Sequence, residues 1–483
     1  MRLVSRFLSV ITVATTLAMS LPILMAAWSG DGGFKPLIMA FAAGMCASAC
    51  LAFAGRGESI SDMSARDAVL SVVVSWLAAS ALTSLPYIFS GAAPTVLDAL
   101  FEGVSGFTTT GASVIANLDS VPKSIRLWRS FSEWIGGLGI IVLVLALLPS
   151  AGASGAGMWL YKAELSSPVH ERMTPRIQQT AVILWKTYIA LTAAQIFFLM
   201  LNGLDLYDSA TLAFSTISTG GFSPYSDNVG HFNGNGVKWV TAVFLFLSGI
   251  NLTLYHVLIV GRSPSRVWKS PETRFYVALF LAFGASVSII LYSGGVFQSV
   301  RTSLLEGFFY SISMISTCGF FISDYGTWPA VARFLMMVMA FCGGCAISTT
   351  GGLKCVRVVV IIKHVHGEFT RLLHQSAVVP TRLGGGAVDA EVVSACFAYL
   401  SAYMAALLGG FVLLTMLGDD PTAALSRAAA MISNTGPGFE IGRSGGPLPG
   451  GAGVKLVSMV LMLCGRLEIF TLLIIFTPRF WRR

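Results

Sequence analysis

The sequence predicts an all-α polytopic membrane protein, with an N-terminal two-helix hairpin followed by four fused copies of one unit in a pseudo-fourfold arrangement. Three observations predict it. Of 483 residues, 55% are hydrophobic and 11% charged, with a mean hydropathy of +0.75; a soluble chain carries roughly a quarter charged residues. So few ionisable groups cannot cover a soluble surface, and most of it must face lipid. Apolar segments long enough to cross a bilayer recur along the whole chain. Between some of them, four similar glycine-containing strings return at near-regular spacing, the mark of an internal repeat.

The first segment, 6–27, follows a short basic start and could pass for a signal peptide, but it lacks a convincing small-residue cleavage site and is long enough to span. It is expected to be a retained helix, paired with 37–54. Further spans are expected at 69–92, 131–149, 179–202, 239–260, 274–294, 329–363, 391–417 and 454–477. The expected divisions are 1–68 for the hairpin, then repeats at 69–178, 179–273, 274–390 and 391–483, the third carrying an intramembrane loop at 342–354. Loops on the N-terminal side, with Lys162, Arg172, Arg262, Lys269, Lys363 and Arg371 among them, hold most of the 31 Lys and Arg residues. By the positive-inside rule both termini are cytoplasmic, and topology accounts for the net charge of +8 without nucleic acid.

Stretches 95–113, 205–223, 302–320 and 421–438 are too apolar for solvated loops and too broken to span. Such segments are candidates for re-entrant hairpins, tolerated at membrane depth where protein or a water-filled cavity surrounds them. Each ends in a related string: TTTGA at 108–112, STGGF at 218–222, STCGF at 316–320 and SNTGP at 433–437. Their glycines align as Gly111, Gly221, Gly319 and Gly436. Three copies also place an acid at the same distance ahead of the glycine: Asp98, Asp208 and Glu306. These acids can cap the short helices and complement their dipoles, and can also form an acidic outer vestibule that concentrates cations.

The strings suit a dehydrated cation. Potassium sheds water only where oxygens replace it, and stacked backbone carbonyls do so without a fixed anion that would hold the ion too tightly. Glycine allows the positive-φ geometry such a stack needs, and flanking hydroxyls add oxygens or hold the turn. One lone string would be weak evidence, because glycine breaks in membrane helices commonly serve packing. Four in register supply a ring. The candidate filter residues are Thr109, Thr110, Gly111, Thr219, Gly220, Gly221, Thr317, Cys318, Gly319, Asn434, Thr435 and Gly436, with potassium as the substrate ion held there.

The segment GGCAISTTGG, from Gly343 and Gly344 through Cys345, Ala346, Ile347, Ser348, Thr349 and Thr350 to Gly351 and Gly352, cannot continue a regular helix across lipid. It must face a cavity, or kink to let helices pack closely. Arg466, deep in the last span, is a functional candidate because an arginine there needs water or a partner. Loop carbonyls, Glu468 and Glu133 are all possible partners. The eight cysteines sit in or beside apolar segments and read as small packed residues, including Cys342-x-x-Cys345. The six histidines share no metal-ligand spacing, and no nucleotide-binding loop or hydrolase triad occurs, so neither a bound cofactor nor enzymatic activity is expected.

The organisation resembles the Trk/Ktr/HKT superfamily of potassium transporters over essentially the whole chain. Besides the four strings, EWIGGLGIIVL at 133–143 and GRLEIFTLL at 465–473 resemble that family's first and last inner helices, and CGGCAISTTGGLKCVR at 342–357 its interrupted third inner helix. The N-terminal hairpin favours the bacterial TrkH-type membrane subunit. The resemblance implies potassium selectivity with glycine at every filter position, a gate formed by 343–352 with Arg466, and a homodimer with one pore per protomer. It further implies a bacterial inner-membrane location and a cytosolic nucleotide-sensing ring of the TrkA kind, docking on loops around 150–178 and 364–390. A secondary transporter of another cation such as sodium would show two halves of opposite topology, and a lipid-modifying enzyme would show clustered acids or histidines. Neither pattern emerges.

Overall fold

The computed structural model describes residues 2–60, 63–139, 142, 177–259, 261, 264–374, 379–384, 386–436, 438–439 and 450–482. All but residue 142 of the expected second half of the first inner helix, and 150–176 of the expected docking loop, therefore lie outside the described residues.

The N-terminal hairpin consists of Arg2–Ala18, continued after Met19 by Ser20–Ser29, and Phe34–Ala54. Gly30 in the left-handed conformation closes the first arm. Small residues let the arms touch: Ser48 Oγ donates to Thr12 Oγ1 at 2.9 Å, and Gly44 leaves no space for a side chain against Thr16. Asp31 then ties the hairpin to the first repeat by accepting from Ser124 N at 2.6 Å and Ser124 Oγ at 3.0 Å.

Each repeat opens with a long apolar helix: Ala65–Ser90, Ile177–Leu201, Pro271–Ser293 and Ala390–Met416. Their outer faces carry exposed Phe197, Phe198, Leu408, Val412 and Leu413, as lipid contact requires. Short helices follow at Val96–Phe107, Leu206–Ile217, Val300–Ile315 and Pro421–Ile432. From Phe101 to Phe107 the first of these is buried at every position, so it runs through protein. Inner helices complete the units: Lys123–Leu138, Asn235–Ser248 with Leu252–Ile259, Ala330–Cys342 with Cys355–Leu373, and Ala452–Arg466 with Glu468–Leu473. This is a multi-pass helical membrane protein of four fused repeats in pseudo-fourfold arrangement plus a hairpin. Its strand content among the described residues is the pairing of Arg382–Leu383 with Gly386–Ala387.

Six described helices are long and apolar enough to cross a membrane. Two segments expected to be single spans are bent pairs: the second inner helix turns by 92° around Gly249–Asn251, and the fourth by 109° at Leu467. The first inner helix begins at Lys123, well before the expected 131. Hydropathy places the edge late because of Arg126 and Arg129, yet both are buried against protein carbonyls and an acid.

Candidate functional site

The four short helices end alike. In each, the residue after the C-cap lies in the left-handed region: Thr109 at φ 55°, Thr219 at 54°, Thr317 at 55° and Asn434 at 54°. In each, that residue's N–H bonds the carbonyl three back, and the next N–H bonds the carbonyl five back: Thr110 to Ser105 at 2.8 Å, Gly220 to Ser215 at 2.8 Å, Cys318 to Ser313 at 2.8 Å and Thr435 to Ala430 at 2.9 Å. This is the Schellman ending, which ordinarily takes glycine at the left-handed position. Threonine there is strained, and its repetition shows that the surroundings impose it. The aligned glycines follow at φ 76° for Gly111, 93° for Gly221, 77° for Gly319 and 94° for Gly436.

The strings sit edge to edge. A β-carbon on Gly111 would overlap the Gly220 carbonyl oxygen, one on Gly221 would overlap the Cys318 oxygen, and one on Gly436 would meet the Thr110 oxygen at 2.8 Å. String one thus abuts string two, two abuts three, and four returns to one. The four strings that carry the twelve candidate filter residues are therefore brought together, joined at three seams. Asn434 Nδ2 donates to Thr110 Oγ1 and to the Met462 carbonyl, both at 2.9 Å, across the seam between the fourth and first repeats.

Against this ring lies the 343–352 loop, buried except at Ser348. Gly351 N donates to Thr317 Oγ1 at 2.7 Å, and Thr219 Oγ1 approaches Thr349 Oγ1 at 3.5 Å. Gly343, Ile347 and Gly352 have positive φ, and Gly343 packs so tightly on the Gly351 carbonyl that a side chain cannot enter. Cys345 N bonds the Gly249 carbonyl at 2.9 Å, and Leu252 N bonds the Ile347 carbonyl at 3.2 Å. The bend in the second inner helix is where the loop docks.

Three charged residues hold the loop. Arg466 Nη1 donates to the Thr349 carbonyl at 3.1 Å, while Nη2 reaches the Gly136 carbonyl at 2.6 Å and that of Gly137. Of its expected partners, loop carbonyls are found; Glu468 is engaged by Arg357, and Glu133 by Ser215 Oγ and Phe222 N. Lys354 Nζ donates to the Ser348 carbonyl at 3.4 Å and to that of Thr350. Glu272, in the first turn of its helix, accepts from Ala346 N at 2.5 Å. Neither Lys354 nor Glu272 stands among the candidate residues of the sequence analysis, since no spacing or motif marks a charge that meets the loop only in the fold.

The three spaced acids do not serve as N-caps. Thr95, Asp205 and Asp420 cap the first, second and fourth short helices, three residues ahead of Asp98 and Asp208 in the first two, and Glu306 lies mid-helix in Val300–Ile315. A capping side chain must precede the first helical N–H groups, which places it earlier than the acids. Asp98 is buried and ion-paired with Lys455 of the fourth repeat. Glu306 accepts from Ser323 Oγ at 2.8 Å. Asp208 is partly exposed and accepts from Tyr225 OH at 3.1 Å; burial, with Asp205 beside it, lifts its carboxyl above the ordinary range against the Tyr225 hydrogen bond. All eight cysteines are free thiols. Among the described residues no group of three or more His, Cys, Asp or Glu side chains is arranged for a metal ion.

Fold and site define a multi-pass helical membrane protein in which four fused units bring four glycine turns together against the 343–352 loop. The chain belongs to the TrkH family, described as cation transport protein, whose model matches residues 35–483. It is 35% identical over 487 residues to the Trk system potassium uptake protein TrkH of Salmonella typhimurium, covering 100% of this chain and 99% of the relative. It is 36% identical over 486 residues to that of Vibrio parahaemolyticus, with the same coverage. The crystal structure of the potassium transporter TrkH from Vibrio parahaemolyticus superposes with a TM-score of 0.88 at 33% identity, covering 100% of this chain and 99% of that one.

Proposed function

We propose that this protein takes up potassium across the bacterial cytoplasmic membrane, through a backbone-carbonyl filter formed by the four strings and gated by the 343–352 loop. The observation that carries this reading is the fourfold recurrence of one left-handed turn followed by a positive-φ glycine, with string one packed on two, two on three and four on one. Such a ring offers oxygens from four sides at fixed spacing, which replaces the hydration shell of a monovalent cation. The C-terminal ends of four short helices meet at the same place and add their negative dipole ends. Asp208, partly exposed beside the ring's outer approach, adds to local cation concentration.

The loop packs directly against strings two and three, so ions leaving the ring meet it first. Arg466 holds it shut by bonding its Thr349 carbonyl and anchoring to Gly136 and Gly137 of the first repeat. Opening requires these bonds to be exchanged for water. The same reading makes both termini cytoplasmic, the functional unit a homodimer, and the opening signal a cytosolic nucleotide-binding ring of the TrkA kind.

The test is rubidium tracer uptake into proteoliposomes of the purified chain, with potassium and sodium as competitors. Uptake blocked by potassium and not by sodium, without an imposed gradient, supports a selective passive pore. Uptake that needs a proton or sodium gradient means coupled flux, and uptake that needs the cytosolic ring means an obligatory regulator. Equal competition by sodium overturns potassium selectivity.

A further inference from the structure

Three charged side chains lie buried directly behind strings one and two: Glu102 at 0%, Arg129 at 1% and Glu133 at 0% exposure. Ionisable groups at this depth are costly unless fully engaged, and these three are engaged with the backbone that leaves the strings. Glu102 Oε1 accepts from Val114 N at 2.7 Å, Ile115 N at 3.2 Å and Ser113 Oγ at 2.6 Å, the residues just past string one. Its other oxygen pairs with Arg129 Nη2 at 3.3 Å. Arg129 Nη1 donates to the Ser223 carbonyl at 3.3 Å, and its guanidinium stacks 3.9 Å from the centroid of the Phe222 ring. One helical turn further on, Glu133 accepts from Ser215 Oγ at 2.5 Å and from Phe222 N at 3.1 Å. Phe222 is the last residue of string two, and a β-carbon on Gly220 would strike the Glu133 carboxyl.

String three is held by hydroxyl groups with the Glu306 carboxylate accepting from Ser323 Oγ at its edge, and Gly438, just past string four, by a tyrosine. Ser313 Oγ donates to the Phe320 carbonyl at 2.7 Å, Tyr310 OH accepts from Ser323 N at 3.1 Å, and Tyr325 OH donates to the Gly438 carbonyl at 3.2 Å. Charge-assisted hydrogen bonds are stronger and directional, and strings one and two share a buried acid–arginine–acid set of them.

We infer that Glu133, supported by the Glu102–Arg129 pair, is a positioning residue that sets cation discrimination by fixing strings one and two from behind. It touches no ion and acts through the backbone of string two. This rests on the filter reading above, and the experiment separates the two.

Rubidium uptake by the reconstituted full-length chain is measured with potassium or sodium as competitor, for wild type, Glu133→Gln, Ser215→Ala, the double variant and Gly111→Ser. Glu133→Gln keeps size and one acceptor but removes the charge, so the potassium-to-sodium ratio should fall roughly tenfold, the equivalent of one charge-assisted hydrogen bond. Ser215→Ala should lower it in the same direction. The double variant should be no worse than Glu133→Gln alone, since both act on one contact set. A residue needed only for folding would lower the amount of active protein and leave the ratio of the remainder untouched. If Gly111→Ser loses discrimination while Glu133→Gln and Ser215→Ala keep the wild-type ratio, the inference falls and the filter stands. If all variants keep it, the filter reading falls as well. Should Glu133→Gln fail to fold, Ser215→Ala decides alone, with an unchanged ratio overturning the inference.

Discussion

Replacing Gly111 by alanine adds a single carbon at the close seam between strings one and two. Gly111 has φ 76°, and its β-carbon would overlap the Gly220 carbonyl oxygen. Two costs follow. The left-handed conformation costs a non-glycine residue about 1–2 kcal/mol. The clash adds to it, because the atom in the way is backbone and moves only by bending angles, at about 1 kcal/mol per 7°. A total of about 2–3 kcal/mol, placed on the seam that spaces string one from string two, is worth roughly 30- to 150-fold in a competition ratio. The assay is sodium against potassium inhibition of rubidium uptake, normalised to folded protein by size exclusion in detergent. Gly203→Ala is the control: its φ of 90° carries the same backbone strain, but nothing lies within 4 Å of its β-carbon, so it costs stability without touching discrimination. Wild-type discrimination in Gly111→Ala would show that this seam does not set ion selectivity.

Three further outcomes follow from the same contacts. Arg466→Gln loses charge-assisted bonds to the Thr349, Gly136 and Gly137 carbonyls, each worth about 1.5–3 kcal/mol; basal rubidium uptake should rise several-fold, and a fall at normal expression would assign Arg466 a purely structural role. Lys455→Met strands the buried Asp98 carboxylate and should destabilise by about 3–5 kcal/mol, read as a lower melting temperature in detergent; adding Asp98→Asn should recover most of the loss. Thr109→Gly relieves a φ of 55° on a β-branched residue and should raise thermal stability by about 1 kcal/mol, with unchanged or lower melting temperature counting against strain at that turn.

The four glycines were legible because a positive-φ position tolerates little else, and four such constraints in one chain leave a visible period. The residues two places earlier were not. Thr109, Thr219 and Thr317 adopt a conformation their own preferences oppose, so local propensity argues against what the assembled strings impose. Charged residues were misplaced for a related reason. Hydropathy treats Arg126 and Arg129 as the edge of a span, whereas here they lie inside protein and find carbonyls and an acid as partners. Asp98 likewise read as a cap or vestibule acid, and it bonds a lysine hundreds of positions away in the chain, a pairing no local pattern reveals.

Those long-range pairings converge on one element. The helix Lys123–Leu138 presents Arg129 and Glu133 to the backbone of string two and the residue after it, and one turn later its Gly136 and Gly137 carbonyls to Arg466, which also holds Thr349 of the loop. A helix is stiff along its axis over so short a run, so displacement of the loop and displacement of string two are not independent. If Arg466→Gln frees the loop by the bonds it removes, it also unloads the C-terminal end of this helix. Its higher basal uptake should therefore be accompanied by a measurable drop in potassium-over-sodium preference, smaller than that of Gly111→Ala. A variant that opens fully at wild-type preference would show that this helix does not link the loop to the ring.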